Sequence, residues 1–375
     1  MPNDLPARSS QSVLTIDLDA IAQNYRDLQL IHLSRGTCAA VVKADAYGLG
    51  AKRVAPALYE AGCRAFYVAH LGEAVAVREA LQDPAASVYV LGGLFANEIA
   101  EFRHAGIVPV LNDLGQIELW SGEARKAGQP LPAVIHIDTG MSRLGLSPEE
   151  AARLSAEPGR LAGLQIHFWM SHLACADEPD HPLNREQLNL LKAMTGKLPP
   201  APVSFANSSG IFLGREYHLD QSRPGCALYG INPVPGRPNP MRQVARLDAK
   251  ILQIRTIDHP RTVGYGATHR AAGPTRVATI AAGYADGWLR SLSNRGFAVV
   301  NGVKVPFIGR VSMDLITIDV TSLPGLNPGD PVELMGNHLT PDDVADLAGT
   351  IGYEVLTRLG SRFHRRYITT PSGAA

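Results

Sequence analysis

No apolar run in this 375-residue chain approaches the ~20 residues needed to cross a bilayer, which argues against an integral membrane protein. The opening stretch, MPNDLPARSSQSVLTIDLDA, also lacks the continuous apolar core of a secretory signal. Cysteine is scarce: Cys38, Cys63, Cys175 and Cys226 are widely spread and form no CxxC pair, so reduced thiols fit better than a disulfide framework. A cytoplasmic location is the expectation. Neither sign of charge is in excess, with 35 Lys+Arg against 35 Asp+Glu, so neither nucleic acid nor a membrane surface is implied as a partner. There is no P-loop, no G-x-G-x-x-G fingerprint, no fixed-period repeat and no low-complexity tract. The first residues and the closing PSGAA read as unstructured.

What the chain does have is a rhythm. Up to about residue 235, short apolar or β-branched runs end in polar or glycine-bearing turns, and helical stretches follow. The runs 37–42, 65–69, 87–91, 107–111, 133–137, 164–168 and 203–206 fit parallel strands covered on both faces. Helical spacing marks 51–61, with apolar residues at Val54, Ala57, Leu58 and Ala61, and also 72–81, 113–127, 148–156 and 182–195. Ser147 reads as an N-cap, Pro148 as the first helical residue, and Glu149–Glu150 suit the positive helix end. Such alternation implies an α/β domain, either a barrel or an open doubly wound sheet, and the rhythm alone does not choose.

The segment 232–240, NPVPGRPNP, can continue neither a helix nor a central strand and marks a boundary. Beyond it, 247–254, 276–282, 297–300, 303–308, 315–320 and 331–335 read as strands, with one helix near 342–350. Asn301-Gly302 predicts a tight hairpin turn. The division expected is residues 1–240 and 241–375: an α/β domain, then a mostly β domain.

The sharpest local feature is CAAVVKADAYGLGA, 38–51, in which five apolar residues end in Lys43 and a glycine-bearing loop leads into a helix. In an α/β domain this is the carboxyl edge of a strand, where functional sites collect, and a lysine there can form a Schiff base with a carbonyl group. Tyr47 could hydrogen-bond a phosphate, and Gly48 and Gly50 would let backbone approach closely. Taken alone, the same pattern also describes a lysine snorkelling from a strand end.

VVKADAYGLGA resembles the cofactor-lysine motif of bacterial alanine racemases, and further matches follow in family order. They are DTGMSRLG (138–145), MSHLA (170–174), FANSSG (205–210), RPGCALYG (223–230), VGYGATHRA (263–271), AAGYADG (281–287), GRVSMDLITIDV (309–320) and IGYEVLTRLGSR (351–362). The resemblance implies an N-terminal (β/α)8 TIM barrel holding pyridoxal 5'-phosphate, followed by a mostly β C-terminal domain. It also implies that the first strand, about 11–18, joins the second domain. The implied protein is a homodimer that interconverts L-alanine and D-alanine at active sites shared between subunits.

Residue by residue, the resemblance assigns Lys43 and Tyr265 as the two acid–base groups, one per face of the substrate, with Tyr265 supplied by the second subunit. Reference pKa values of about 10.4 and about 10 leave both too protonated by ~3 units. Burial helps a lysine base and hurts a phenolate, so Tyr265 needs cationic or donor neighbours. The match offers His172 backed by Arg223, which also faces the pyridine nitrogen of the cofactor and cannot hand it a proton. Ser208 with the backbone N–H groups of Gly225 and Cys226 can hold the phosphate, with Asn207, Tyr47 and Tyr353 completing the cofactor set. Arg143, Met313 (through its backbone N–H) and Asp314 are implied around the substrate carboxylate, and Tyr284 at the entrance.

Two departures stand out. Many family members carry a carbamate-modified lysine seven residues before the arginine of DTGMSRLG, whereas this chain has His136, so Arg143 must be held differently, by a bound anion or Asp138. The ending SRFHRRY lacks the family's usual proline. Other readings stay open at this stage: a zinc site from His167, His172, Cys175, Asp177 and His181, a decarboxylase on the same cofactor, and a cofactor carrier with the same barrel. No metal is expected.

Overall fold

The computed structural model describes residues 10–32 and 36–369. The segments read as unstructured, at the first residues and in PSGAA, lie outside the described residues. The chain divides into two compact units: one holds the described parts of Met1–Ala20, Tyr47–Leu49 and Gln243–Ala375, the other Ile21–Ala46 and Gly50–Arg242.

The second of these is a closed parallel barrel. Its strands are Thr37–Cys38 with Ala40–Val41, then Ala65–Val68, Ser87–Val90, Val108–Leu111, Leu131–His136, Leu164–Met170, Val203–Ser204 and Gln221–Ser222. Thr37–Cys38 pairs with Gln221–Ser222 while Ala40–Val41 pairs with Ala65–Val68, so one strand, interrupted at Ala39, joins both ends of the sheet. Ala39 N–H donates to Ser222 O at 2.8 Å and Val41 N–H to Pro224 O at 2.9 Å, keeping that seam bonded. The apolar runs are strands because both their faces are covered: Phe66, Val68, Val88, Val110, Ala133 and Ile135 are fully buried. The rhythm left barrel and open sheet undecided; ring closure makes it a barrel.

The covering helices are Leu18–Ile31, Ala51–Glu60, Leu71–Leu81, Ile99–His104, Leu114–Ala127, Pro148–Ala156 and Pro182–Thr195. Their starts follow the sequence. Asp113 accepts from Gln116 N, and Ser147 accepts from Glu150 N in a capping box with Pro148 inside the first turn. Leu18–Ile31 and Ile99–His104 have no counterpart in the sequence reading. The first mixes polar residues into its apolar stripe, and the second has only six residues.

In the other unit, Ala245–Ile257 is the organising strand, thirteen residues long. It pairs with Ser12–Asp17 and Pro331–Met335 along its first half, then shifts register between Ile251 and Gln253 and pairs with Thr275–Ile280. Ser12–Asp17 also pairs in parallel with His364–Ile368. Leu14 and Ile16 are fully buried, each side chain contributing roughly 1.5–3 kcal/mol. Asn301 (φ 49°) and Gly302 (φ 79°) turn Phe297–Val300 into Val303–Pro306, as the dipeptide predicts. Among the described residues, no helix is long and apolar enough to cross a membrane.

Candidate active site

At the carboxyl edge of the barrel, Lys43 follows the strand Ala40–Val41 with only Val42 between. The residues after it are unusual: Ala44, Asp45, Ala46 and Tyr47 have φ of 51°, 54°, 54° and 56°, a left-handed turn built without glycine. The fifth strand of the ring, Leu131–His136, carries a register shift between Ala133 and Val134 and delivers buried His136 to the same edge. The loop DTGMSRLG then leaves and returns: Asp138 N–H donates to Leu146 O at 2.9 Å and Leu146 N–H to His136 O at 2.8 Å. Gly145 (φ +105°) is required there, since a Cβ would sit 2.8 Å from Asp138 N.

Asp138 holds that loop from inside, one oxygen accepting from Gly140 N at 2.9 Å and Met141 N at 2.9 Å and both from Ser142 N. Its carboxylate is therefore spent on backbone, and among the described residues no carboxylate lies within ion-pair distance of Arg143. Of the two supports considered for Arg143, a direct Asp138 pair is absent; Asp138 shapes the loop that carries it.

Arg223 is only 3 % exposed and has no carboxylate partner among the described residues. Its Nη1 donates to Ser204 Oγ at 2.6 Å, and its Nη2 to Ser171 O at 2.6 Å and Phe205 O at 3.3 Å. The guanidinium also lies 5.9 Å from the Tyr67 ring centre. Burial lowers its pKa to about 10. His172 Nδ1 stands 3.4 Å from Arg223 Nη2. Desolvation, then the charges of Arg223 and Arg143, push His172 well below the usual imidazole range. His136 falls to about 4 for the same reasons, burial first and Arg223 second. Lys43 is lowered by burial and by Arg143, against an opposing pull from Glu73.

Ser208 Oγ accepts from Gly225 N at 2.9 Å and Ala227 N at 3.3 Å. That leaves the Ser208 hydroxyl proton for an outside acceptor, while the Gly225 N–H is engaged within the chain. Cys226, buried, opens the 3-10 turn Cys226–Tyr229. Asn207 turns its Oδ1 to Gly210 N at 2.9 Å and its Nδ2 to Leu173 O at 3.4 Å, so it holds the loop of Ser208.

The remaining expected residues belong to the β-rich unit. Tyr47 and Tyr353 face each other at 6.0 Å between ring centres. Tyr265 begins the 3-10 turn Tyr265–Ala267, at the tip of a hairpin whose strands are Arg261–Val263 and His269–Ala271, and is 73 % exposed. A Cβ on Gly266 would lie 2.8 Å from Arg310 Nη1, so that tip rests on the Arg310 side chain. Tyr284 N–H donates to Ser312 O at 3.0 Å and Ala285 N–H to Met313 O at 2.9 Å, which docks AAGYADG against the Met313 loop. Arg362 bridges both loops, reaching Asp286 Oδ1 at 2.9 Å and Asp314 Oδ1 at 2.8 Å. Desolvation raises the pKa of the Asp286 carboxyl.

Among the described residues no three His, Cys, Asp or Glu gather to hold a metal ion. His181, one of the zinc candidates, caps Pro182–Thr195 by accepting from Leu183 N. Sequence reasoning missed Ser204, Asn112 and Glu73, each of which acts on a site residue across a gap in sequence that no local pattern marks, and gave no role to Arg362, which ends a family match.

The Alanine racemase, N-terminal domain model matches residues 16–233, and the Alanine racemase, C-terminal domain model matches residues 244–367. The chain belongs to the alanine racemase family. A catabolic alanine racemase from Agrobacterium fabrum is 52% identical over 357 residues, covering 95% of this chain and 92% of that one. Among solved structures, alanine racemase from Bartonella henselae with covalently bound pyridoxal phosphate matches with a TM-score of 0.92 and 42% identity, over 96% of this chain and 100% of that chain. The biosynthetic alanine racemase from Pseudomonas aeruginosa matches at 0.88 and 35% identity, with the same coverage of 96% and 100%.

Proposed function

We propose that the chain interconverts L-alanine and D-alanine with pyridoxal 5'-phosphate held at Lys43. The observation that carries this reading is a barrel mouth whose cations, Lys43, Arg143 and buried Arg223, form no ion pair with a carboxylate among the described residues and are flanked by imidazoles kept neutral. Such a mouth fits a phosphate, a phenolic oxygen and a substrate carboxylate together. Family membership and the relative with covalently bound pyridoxal phosphate support the same group.

In this reading Ser208 Oγ donates to the phosphate, with Tyr47, Tyr353, Asn207 and the Gly225–Cys226 backbone around it. Arg223, protonated at neutral pH, faces the pyridine nitrogen without giving it a proton. Arg143 and the Met313 backbone N–H, which has no acceptor among the described residues, receive the substrate carboxylate beside Asp314. Tyr284 narrows the way in. When bound, pyridoxal phosphate supplies the sink for the electron pair left as the Cα proton departs.

Lys43 Nζ moves that proton on one face of Cα, and its lowered pKa favours the neutral amine this needs. Tyr265 Oη works on the opposite face, contributed by a second copy of the chain, with His172 and Arg223 as the cationic and donor neighbours of its hydroxyl. Exposure of Tyr265 in its own chain supports that placement. Enantiomers have equal free energy, so the protein cannot bias the direction; supply or removal of D-alanine follows from concentrations. The four cysteines, none in a disulfide, support a reducing, cytoplasmic setting.

The test is racemisation across L-amino acids by the native protein, Lys43→Ala and Tyr265→Phe. Lys43→Ala should lose both covalent cofactor and turnover. Tyr265→Phe should keep the cofactor and lose turnover in both directions, because each passage uses both faces. Unchanged turnover in Tyr265→Phe removes the two-base reading.

A further inference from the structure

We propose that Glu73 is a positioning residue for Lys43, its carboxylate clamping the left-handed turn that begins immediately after the lysine. The inference rests on the reading of Lys43 above and adds what holds that lysine in place. Four consecutive non-glycine residues, Ala44 to Tyr47, occupy positive φ, where each L-residue costs on the order of 1–2 kcal/mol. A run of this kind persists only if its surroundings over-determine it.

The restraints are specific. Ala46 N–H returns to Val42 O at 2.9 Å, and Gly50 N–H reaches Asp45 O at 2.8 Å. Asp45 Oδ1 accepts from Ala51 N at 2.7 Å, tying the turn to the next helix. The first amide after the lysine, Ala44 N–H, is the one that leaves the turn: it donates to Glu73 Oε1 at 2.6 Å.

Glu73 occupies the N3 position of the helix Leu71–Leu81, where its Oε2 accepts from His70 N at 3.2 Å and from Ala69 N at 2.8 Å. A capping box explains the bond to His70. It does not explain the second oxygen, which crosses to the end of the neighbouring barrel strand. One carboxylate thus fixes backbone at two adjacent strand ends, in charge-assisted bonds about twice as strong as neutral ones. It is also the carboxylate whose pull on Lys43 opposes the lowering by burial and Arg143.

The experiment compares native apo-protein, Glu73→Gln and, as control, Glu79→Gln. Glu79 is exposed on the same helix and lies 4.0 Å from Lys52. Two readouts are taken: amide hydrogen exchange at Ala44–Ala46, and the pH dependence of covalent capture of added pyridoxal phosphate. In that capture Lys43 Nζ joins the aldehyde carbon and one water leaves. In Glu73→Gln the amides should exchange about tenfold faster, the size expected for one charge-assisted hydrogen bond. The capture midpoint should move to lower pH, because a charge favouring the ammonium is gone. Glu79→Gln should change neither.

Unchanged exchange together with an unchanged midpoint overturns the proposal, as does an equal response in the control. Glu73→Asp, too short to reach both strand ends, is the second variant should the amide fail to fold, and it should loosen Ala44 alone. If the native protein captures no cofactor at position 43, the reading of Lys43 fails, while the exchange data still decide the clamp.

Discussion

Asn112 spends both amide protons on carbonyls, Leu91 O at 3.1 Å and Val110 O at 3.0 Å, so its Oδ1 meets His136 Nδ1 at 2.9 Å as an acceptor. His136 therefore carries its proton on Nδ1. Its folded pKa of about 4 lies below the unfolded value of 6.5. Between those values the unfolded chain binds more protons, so stability should fall as pH drops from 6.5 toward 4 and then level off. The share due to His136 is ~3 kcal/mol at 1.36 kcal/mol per unit. Urea unfolding of His136→Gln from pH 4 to 7 should show a shallower acid limb than the native protein; parallel curves would remove the buried-neutral assignment. None of this was legible in the sequence. His136 was visible as a departure from a family position, but its partner lies twenty-four residues earlier, just past the end of another strand.

Loops that carry chemistry in the β-rich unit are set by close backbone approach. Gly283 is in an extended conformation that alanine can adopt, yet a Cβ there would fall 2.3 Å from Met313 O and 2.5 Å from Asp314 N. Gly283→Ala should destabilise by roughly 2 kcal/mol or more and lower turnover by parting the Tyr284 and Met313 loops. At Gly302 (φ +79°) nothing lies within 4 Å, so Gly302→Ala should cost only about 1 kcal/mol and leave turnover alone. Denaturant titration with an assay on both variants checks the contrast. At this scale the barrel strands were readable because two covered faces leave an apolar run. The helix starting at Pro148 was readable from its cap. Gln221–Ser222 was not, being two polar residues whose strand character comes from neighbours, and the hairpin under Tyr265 was hidden for the same reason. The Lys43 and Tyr265 motifs were legible as family patterns, whereas the left-handed turn after Lys43 contradicts local propensity and could only be seen in three dimensions.

The proposal that Tyr265 crosses to a second copy has a consequence for mixtures. Lys43→Ala and Tyr265→Phe should each be inactive alone. Dissociated, mixed and reassociated, they should regain about a quarter of native turnover, since half the random pairs are mixed and each mixed pair holds one intact site. Recovery near zero would place both groups in the same chain. The strand Ser12–Asp17 carries a different consequence, one of timing. It lies between Ala245–Ile257 and His364–Ile368, with Val13 opposite His364. A ribosome adding 5–20 residues per second delivers Ala245–Ile257 roughly 10–50 s after Ser12–Asp17, and His364–Ile368 roughly 20–70 s after it. Until the first of these partners has been made, Leu14 and Ile16, destined for full burial, have no sheet to enter. The nascent chain should therefore expose the apolar side of this strand while the barrel is being made, surface of the kind that holdase chaperones cover.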